Sequence, residues 1–121
     1  MESSESRKYP LIARSVDDIA IGPKRLTKYE RARIVAARAL QLALGAPPLI
    51  DIGEVKTTDP VIIAIKELER GLPPILIRRQ KPNGEYQLIP LRILVEAERS
   101  LHERRRRVLR EVFRSLAEEA A

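Results

Sequence analysis

The sequence predicts an α+β fold, with two core helices, a β-hairpin and a C-terminal helical extension. Three observations carry that prediction. Two helix-forming stretches each begin at a capping residue and end at a glycine, at Thr27 to Gly45 and Asp59 to Gly71. Between Ile75-Leu76-Ile77 and Tyr86-Gln87-Leu88-Ile89 sits Asn83-Gly84, the strongest short signal for a two-residue hairpin turn with positive φ. From Leu91 onward, Leu94, Leu101 and Val108 recur at a seven-residue interval within a helix-favouring composition.

Residues 1–25 read as a flexible N-terminal arm. Short apolar groups (Leu11, Ile12; Ile19, Ile21) are broken by Pro10, Gly22 and Pro23, and no period is sustained. The first helix opens at Thr27, whose hydroxyl can accept from an orphan first-turn amide while Glu30 reaches back to the Thr27 amide. Ala32, Ala36, Ala39 and Ala43 share one face, which predicts a surface where another backbone comes close. Val35, Leu42, Leu40 and Leu44 read as the apolar face beside it, and Arg31 and Arg38 as a polar side. Residues 46–58 read as a connector in which Pro48-Leu49-Ile50-Asp51-Ile52 is extended. The second helix takes Asp59 as N-cap and Pro60 at its first position, where a missing amide costs nothing. Val61, Ala64, Ile65 and Leu68 form its stripe, and Ile62 and Ile63 widen it, so more than one side is expected to be covered.

Composition narrows the function classes. In 121 residues with 44% apolar content there is one Phe, three Tyr and no Trp, so Leu, Ile, Val and Ala must fill a modest core that gains from a partner. Net charge is +6, which suits nucleic acid, an acidic lipid surface or an acidic protein groove without choosing among them. No cysteine is present and His102 is the one histidine, which leaves no thiolate chemistry and no His-rich metal cluster; no cofactor is expected. The first residues lack a basic-then-apolar leader pattern, and no apolar run approaches the about 20 residues of a membrane span. A soluble cytoplasmic protein without a membrane partner is the expectation.

No catalytic constellation is visible. Carboxylates lie beside basic residues, as Glu67 and Arg70 do at i,i+3, and read as solvent-exposed pairs. The five glycines sit at turns and helix ends and form no phosphate loop. The run Arg104-Arg105-Arg106-Arg107 is the candidate nucleic-acid contact. Four successive helical residues point to four sides, however, and aromatic stacking partners are nearly absent.

Two blocks together resemble a known family. Leu26-Thr27-Lys28-Tyr29-Glu30-Arg31-Ala32-Arg33-Ile34 with Ala37-Arg38-Ala39-Leu40-Gln41 is similar to the first helix of the archaeal subunit K of RNA polymerase, in the omega family. Asp59-Pro60, Ile63-Ala64, Glu67-Leu68, Gly71, Pro74-Ile75, Ile77-Arg78-Arg79 and Pro82-Asn83-Gly84-Glu85-Tyr86 follow in the family's order. The resemblance covers residues 26–90 and implies an omega-like domain there. It implies a non-catalytic subunit of DNA-directed RNA polymerase that clamps the largest subunit, promotes assembly, meets DNA only through the complex and forms no homo-oligomer. By position it implies interface roles for Lys28, Tyr29, Glu30, Ala32, Arg33, Ala36, Arg38, Ala39, Gln41 and Ala43 on the first helix, and for Arg78 and Arg79 on the hairpin. Ala36 stands where relatives often carry glycine. After Tyr86 the chain departs from the family's acidic, aromatic ending, so the basic helix 91–121 lies outside the resemblance. A small nucleic-acid-binding protein acting through Arg104–Arg107 is the alternative.

Overall fold

The computed structural model describes residues 8–120. Helices α1 (Lys28–Ala43), α2 (Ile52–Val55) and α3 (Pro60–Glu69) precede a hairpin of β1 (Leu76–Gln80) and β2 (Tyr86–Pro90), and α4 (Leu91–Ala120) follows without a loop. The result is an α+β fold.

Local chemistry fixes the ends of α1 and α3. The Thr27 hydroxyl accepts from the Glu30 amide at 3.2 Å and the Glu30 carboxylate accepts from the Thr27 amide at 2.9 Å, a complete capping box. Both helices close in the same way. Gly45 (φ 104°) and Gly71 (φ 65°) take the left-handed conformation. The amides of Gly45 and Ala46 donate to the Leu42 and Gln41 carbonyls, and those of Gly71 and Leu72 to the Leu68 and Glu67 carbonyls.

The hairpin pairs Ile77 with Ile89 and Arg79 with Gln87 on its inward face. Its turn differs from the two-residue form expected at Asn83-Gly84. Only Gly84 has positive φ, the Gly84 amide donates to the Lys81 carbonyl, and the Lys81 amide donates to the Glu85 carbonyl. Pro82 is the cause: its ring fixes φ at about −65°, which suits the first central position of a type I turn and moves the turn one residue earlier.

Every main element contributes to one core. It contains Ala13, Ile19 and Leu26, Ile34 of α1, Leu68 of α3, Ile77 and Ile89 of the hairpin, and Leu91, Ile93, Leu94 and Val95 of α4. Ala13 and Ile19 fall within residues 1–25, read from the sequence as a flexible arm, and both are buried in this core. The Ala13 amide donates to the Leu88 carbonyl and the Leu88 amide to the Leu11 carbonyl, adding a parallel bridge to the free edge of β2. The Gln87 carboxamide, fully buried, donates to the carbonyls of Pro10 and Asp18 and accepts from the Ala20 amide. Backbone pairing and carbonyl capture, rather than an amphipathic period, hold this segment. Residues 1–7 of the expected arm, and Ala121, lie outside the described residues.

The connector differs too. Asp51 caps a single helical turn by accepting from the Gly53 amide at 2.9 Å, so the stretch expected to be extended ends in α2. Asx capping outweighed the β-branched residues there.

Candidate docking surface

The outer face of α1 is the most conspicuous surface of the fold. Tyr29, Leu40 and Leu44 are 74%, 62% and 80% exposed, and Ala32, Ala36, Ala37 and Ala43 lie exposed among them. Leu40 and Leu44 were expected on the buried side. Helix α1 instead turns Ile34, Arg38 and Ala39 inward with Val35 packed beside them, so Leu40 and Leu44 have no cover among the described residues. On α3, Ile63, Ala64, Glu67 and Leu68 face the interior, while Val61, Ile62 and Ile65 are exposed. The many-sided burial expected of α3 is therefore not met within this chain.

Two ion pairs, one buried and one partly buried, hold this surface in shape. Glu67, 0% exposed, takes a bidentate grip from Arg38, with Nε to Oε2 at 2.6 Å and Nη2 to Oε1 at 3.2 Å. The same carboxylate accepts the Leu49 amide at 2.8 Å, and Arg38 also donates to the Pro47 carbonyl and to Gln41. This pair joins α1, the connector and α3. It corrects two sequence readings: Arg38 is not on a polar side, and Glu67 is not in a surface pair with Arg70, which instead reaches Glu54 at 3.4 Å. Burial alone would push the Glu67 carboxyl up, but the Arg38 and Leu49 hydrogen bonds and the Arg38 charge outweigh it and hold it below its ordinary value. The hydrogen bond to Glu67 in turn raises Arg38.

Arg79 plays the same part at the other end of α1. Its guanidinium donates to both Glu30 oxygens at 3.0 Å and to the carbonyls of Ile21, Pro23 and Arg25. It thereby ties the hairpin to the capping box and to the segment entering α1. Burial opposes ionisation of Glu30, yet the bonds from Arg79 and the Thr27 amide, with the Arg79 charge, keep its carboxyl below the usual range. Among the described residues every buried side-chain nitrogen and oxygen has a partner.

The residues singled out from the sequence thus divide. Lys28, Tyr29, Ala32, Arg33, Ala36, Gln41, Ala43 and Arg78 are exposed, with Arg78 stacked 4.4 Å from the Tyr86 ring centroid. Glu30, Arg38, Ala39 and Arg79 face inward or are engaged within the chain, where they shape the surface instead of presenting a free group. Arg104–Arg107 lie exposed on α4, well away in the chain. Sequence reading missed the Arg38–Glu67 pair, although a glutamate inside the stripe Ile63, Ala64, Leu68 was a usable signal of a buried partner.

Among the described residues no cluster of three or more His, Cys, Asp or Glu could hold a metal, and no helix is long and apolar enough to cross a membrane. An exposed apolar face on a small, internally braced domain is a feature shared by interaction surfaces. The sequence model of the RNA polymerase Rpb6 family matches residues 21–75, which span α1, α2 and α3 up to the hairpin. The DNA-directed RNA polymerase subunit Rpo6 of Pyrobaculum aerophilum is 58% identical over 79 residues, covering 65% of this chain and 74% of that one. The subunit Rpo6 of Saccharolobus solfataricus is 54% identical over 74 residues (61% and 78%), and that of Thermofilum pendens 54% over 74 residues (61% and 90%). The chain belongs to this Rpb6/Rpo6 family of archaeal RNA polymerase subunits.

Proposed function

We propose that the chain is a non-catalytic, cytoplasmic subunit of DNA-directed RNA polymerase that clamps the largest subunit and promotes assembly of the enzyme. The observation that carries this reading is the outer face of α1, where Tyr29, Leu40 and Leu44 stand exposed around Ala32, Ala36 and Ala43. Small side chains let a partner backbone come close, and the long apolar ones gain when water leaves. Lys28, Arg33, Gln41 and Arg78 supply polar contacts at the rim. Arg38, Glu67, Arg79 and Glu30 act behind this face, as rigid braces that set the angle between α1, α3 and the hairpin before the partner arrives. Preorganisation of that kind lowers the ordering cost of association. In this reading DNA is met only through the complex, and the chain does not pair with itself.

Hydroxyl-radical footprinting of the chain, alone and in the reconstituted polymerase, tests the reading. Protection on assembly is expected at Tyr29, Leu40 and Leu44, with Lys81 at the far hairpin turn, and Tyr9 of the N-terminal segment beside it, unchanged. Equal labelling of Tyr29, Leu40 and Leu44 in both states would overturn it.

A further inference from the structure

Helix α4 leaves the fold. Leu91, Ile93, Leu94 and Val95 are buried in the core, but after Leu101 every described residue to Ala120 is exposed. At about 1.5 Å per residue this free part extends about 28 Å beyond the body. Its exposed side chains are ordered. Val108, Val112 and Leu116 stand at four-residue steps with Leu109 and Phe113 beside them, and Val108 and Phe113 are 58% and 67% exposed. They continue, in open solvent, the stripe that begins with Leu94 in the core. Between residues 104 and 114 six side chains are arginine and one, Glu111, is acidic. None of those arginines has an ion pair or hydrogen bond among the described residues.

We propose that the projecting end of α4, residues 104–116, is a docking arm for an acidic amphipathic helix of another protein. Charge complementarity selects this occupant. A nucleic acid would satisfy the arginines but leaves the five-residue apolar stripe in water, and Phe113 is the one aromatic side chain there. A second copy would set one arginine-rich segment against another in either orientation. A helix with an apolar seam and glutamates beside it covers the stripe and meets the arginines that flank it, Arg104 on one side and Arg106 and Arg110 on the other, as flanking charges do in paired helices. The proposal rests on α4 alone, outside residues 21–75 matched by the family, and is independent of the α1 face.

The test titrates the full chain against fluorescent synthetic helices that share a leucine seam. One carries glutamates beside the seam, one carries lysines there, and one scrambles the glutamate sequence. The glutamate-flanked helix is expected to bind about tenfold or more tighter than the other two. Val112→Ser with Leu116→Ser, and separately Arg106→Glu with Arg110→Glu, are expected to remove that advantage; circular dichroism checks that each variant keeps its fold. Equal binding of the scrambled peptide would overturn the proposal by reducing the arm to bare charge. So would tighter binding of duplex DNA or of phosphatidylserine vesicles, unaffected by the serine variant. Reversible dimerisation of the chain in sedimentation, lost in the serine variant, would assign the stripe to a second copy and also overturn it.

Discussion

Replacing Arg38 by Met tests the brace behind α1 most sharply. Methionine keeps much of the buried stem but removes the guanidinium that grips Glu67 at 2.6 and 3.2 Å. Glu67 would then sit fully buried with the Leu49 amide as its remaining donor, and the Pro47 carbonyl would lose its partner. Breaking a buried pair from one side costs about 3–5 kcal/mol. A domain of this size has about 5–15 kcal/mol in total, so the loss should move a urea midpoint far to lower denaturant. Removing both charges, in Arg38→Met/Glu67→Leu, takes away the stranded carboxylate and should recover most of the stability, to within about 2 kcal/mol of the parent. The sign with pH is also fixed. Without Arg38, burial raises the Glu67 carboxyl above its unfolded value, so the deficit of the single variant should shrink as pH falls and Glu67 is protonated. Equilibrium urea unfolding of the three proteins at neutral and acidic pH measures all of this. A loss below about 1 kcal/mol for the single variant, or a double variant no better than the single, would refute the assignment of Arg38–Glu67 as a structural brace.

Other expectations follow from the same contacts. Glu30 and Glu67 both have folded-state values below their ordinary ones, so their contribution is present above about pH 4.3 and is lost as pH falls through the folded values; chemical unfolding across that range should show stability dropping on the acid side. Gln87→Leu removes three bonds to residues 10–20 and should cost about 1–3 kcal/mol. Amide exchange in that segment should accelerate while α1 and α3 stay protected. Thr27→Ala breaks the capping box and should lower stability by about 1 kcal/mol, read from the thermal midpoint.

How much of this was legible in the sequence depended on the range of the interaction. The Thr27–Glu30 box, the Asp59-Pro60 start and the Gly45 and Gly71 stops are written within a few residues of each helix end, and each element formed about where that chemistry placed it. Arg38 and Glu67 are 29 residues apart, so the glutamate among the apolar residues of α3 signals a buried partner without naming Arg38 over the nearby Arg70. The segment 10–26 lacked a period because β2 and the side chains of Gln87 and Arg79 hold it through its backbone. Leu40 and Leu44 looked like core residues because composition cannot say how wide an arc α3 covers on α1. The seam of α4 was visible as a heptad, but not the point, past Leu101, where the core stops and the stripe runs on uncovered.

In the proposed assembly the outer face of α1 docks the chain into the polymerase. Its most direct test is Ala36→Arg, scored by retention of the chain with the largest subunit in reconstituted enzyme. Ala36 is exposed in the free chain, so the variant should fold with stability within about 0.5 kcal/mol of the parent. Its bulk and charge sit in the middle of the small-residue face, and retention is predicted to fall about tenfold or more. An Ala36→Arg chain retained as well as the parent, with its fold intact, would contradict the account.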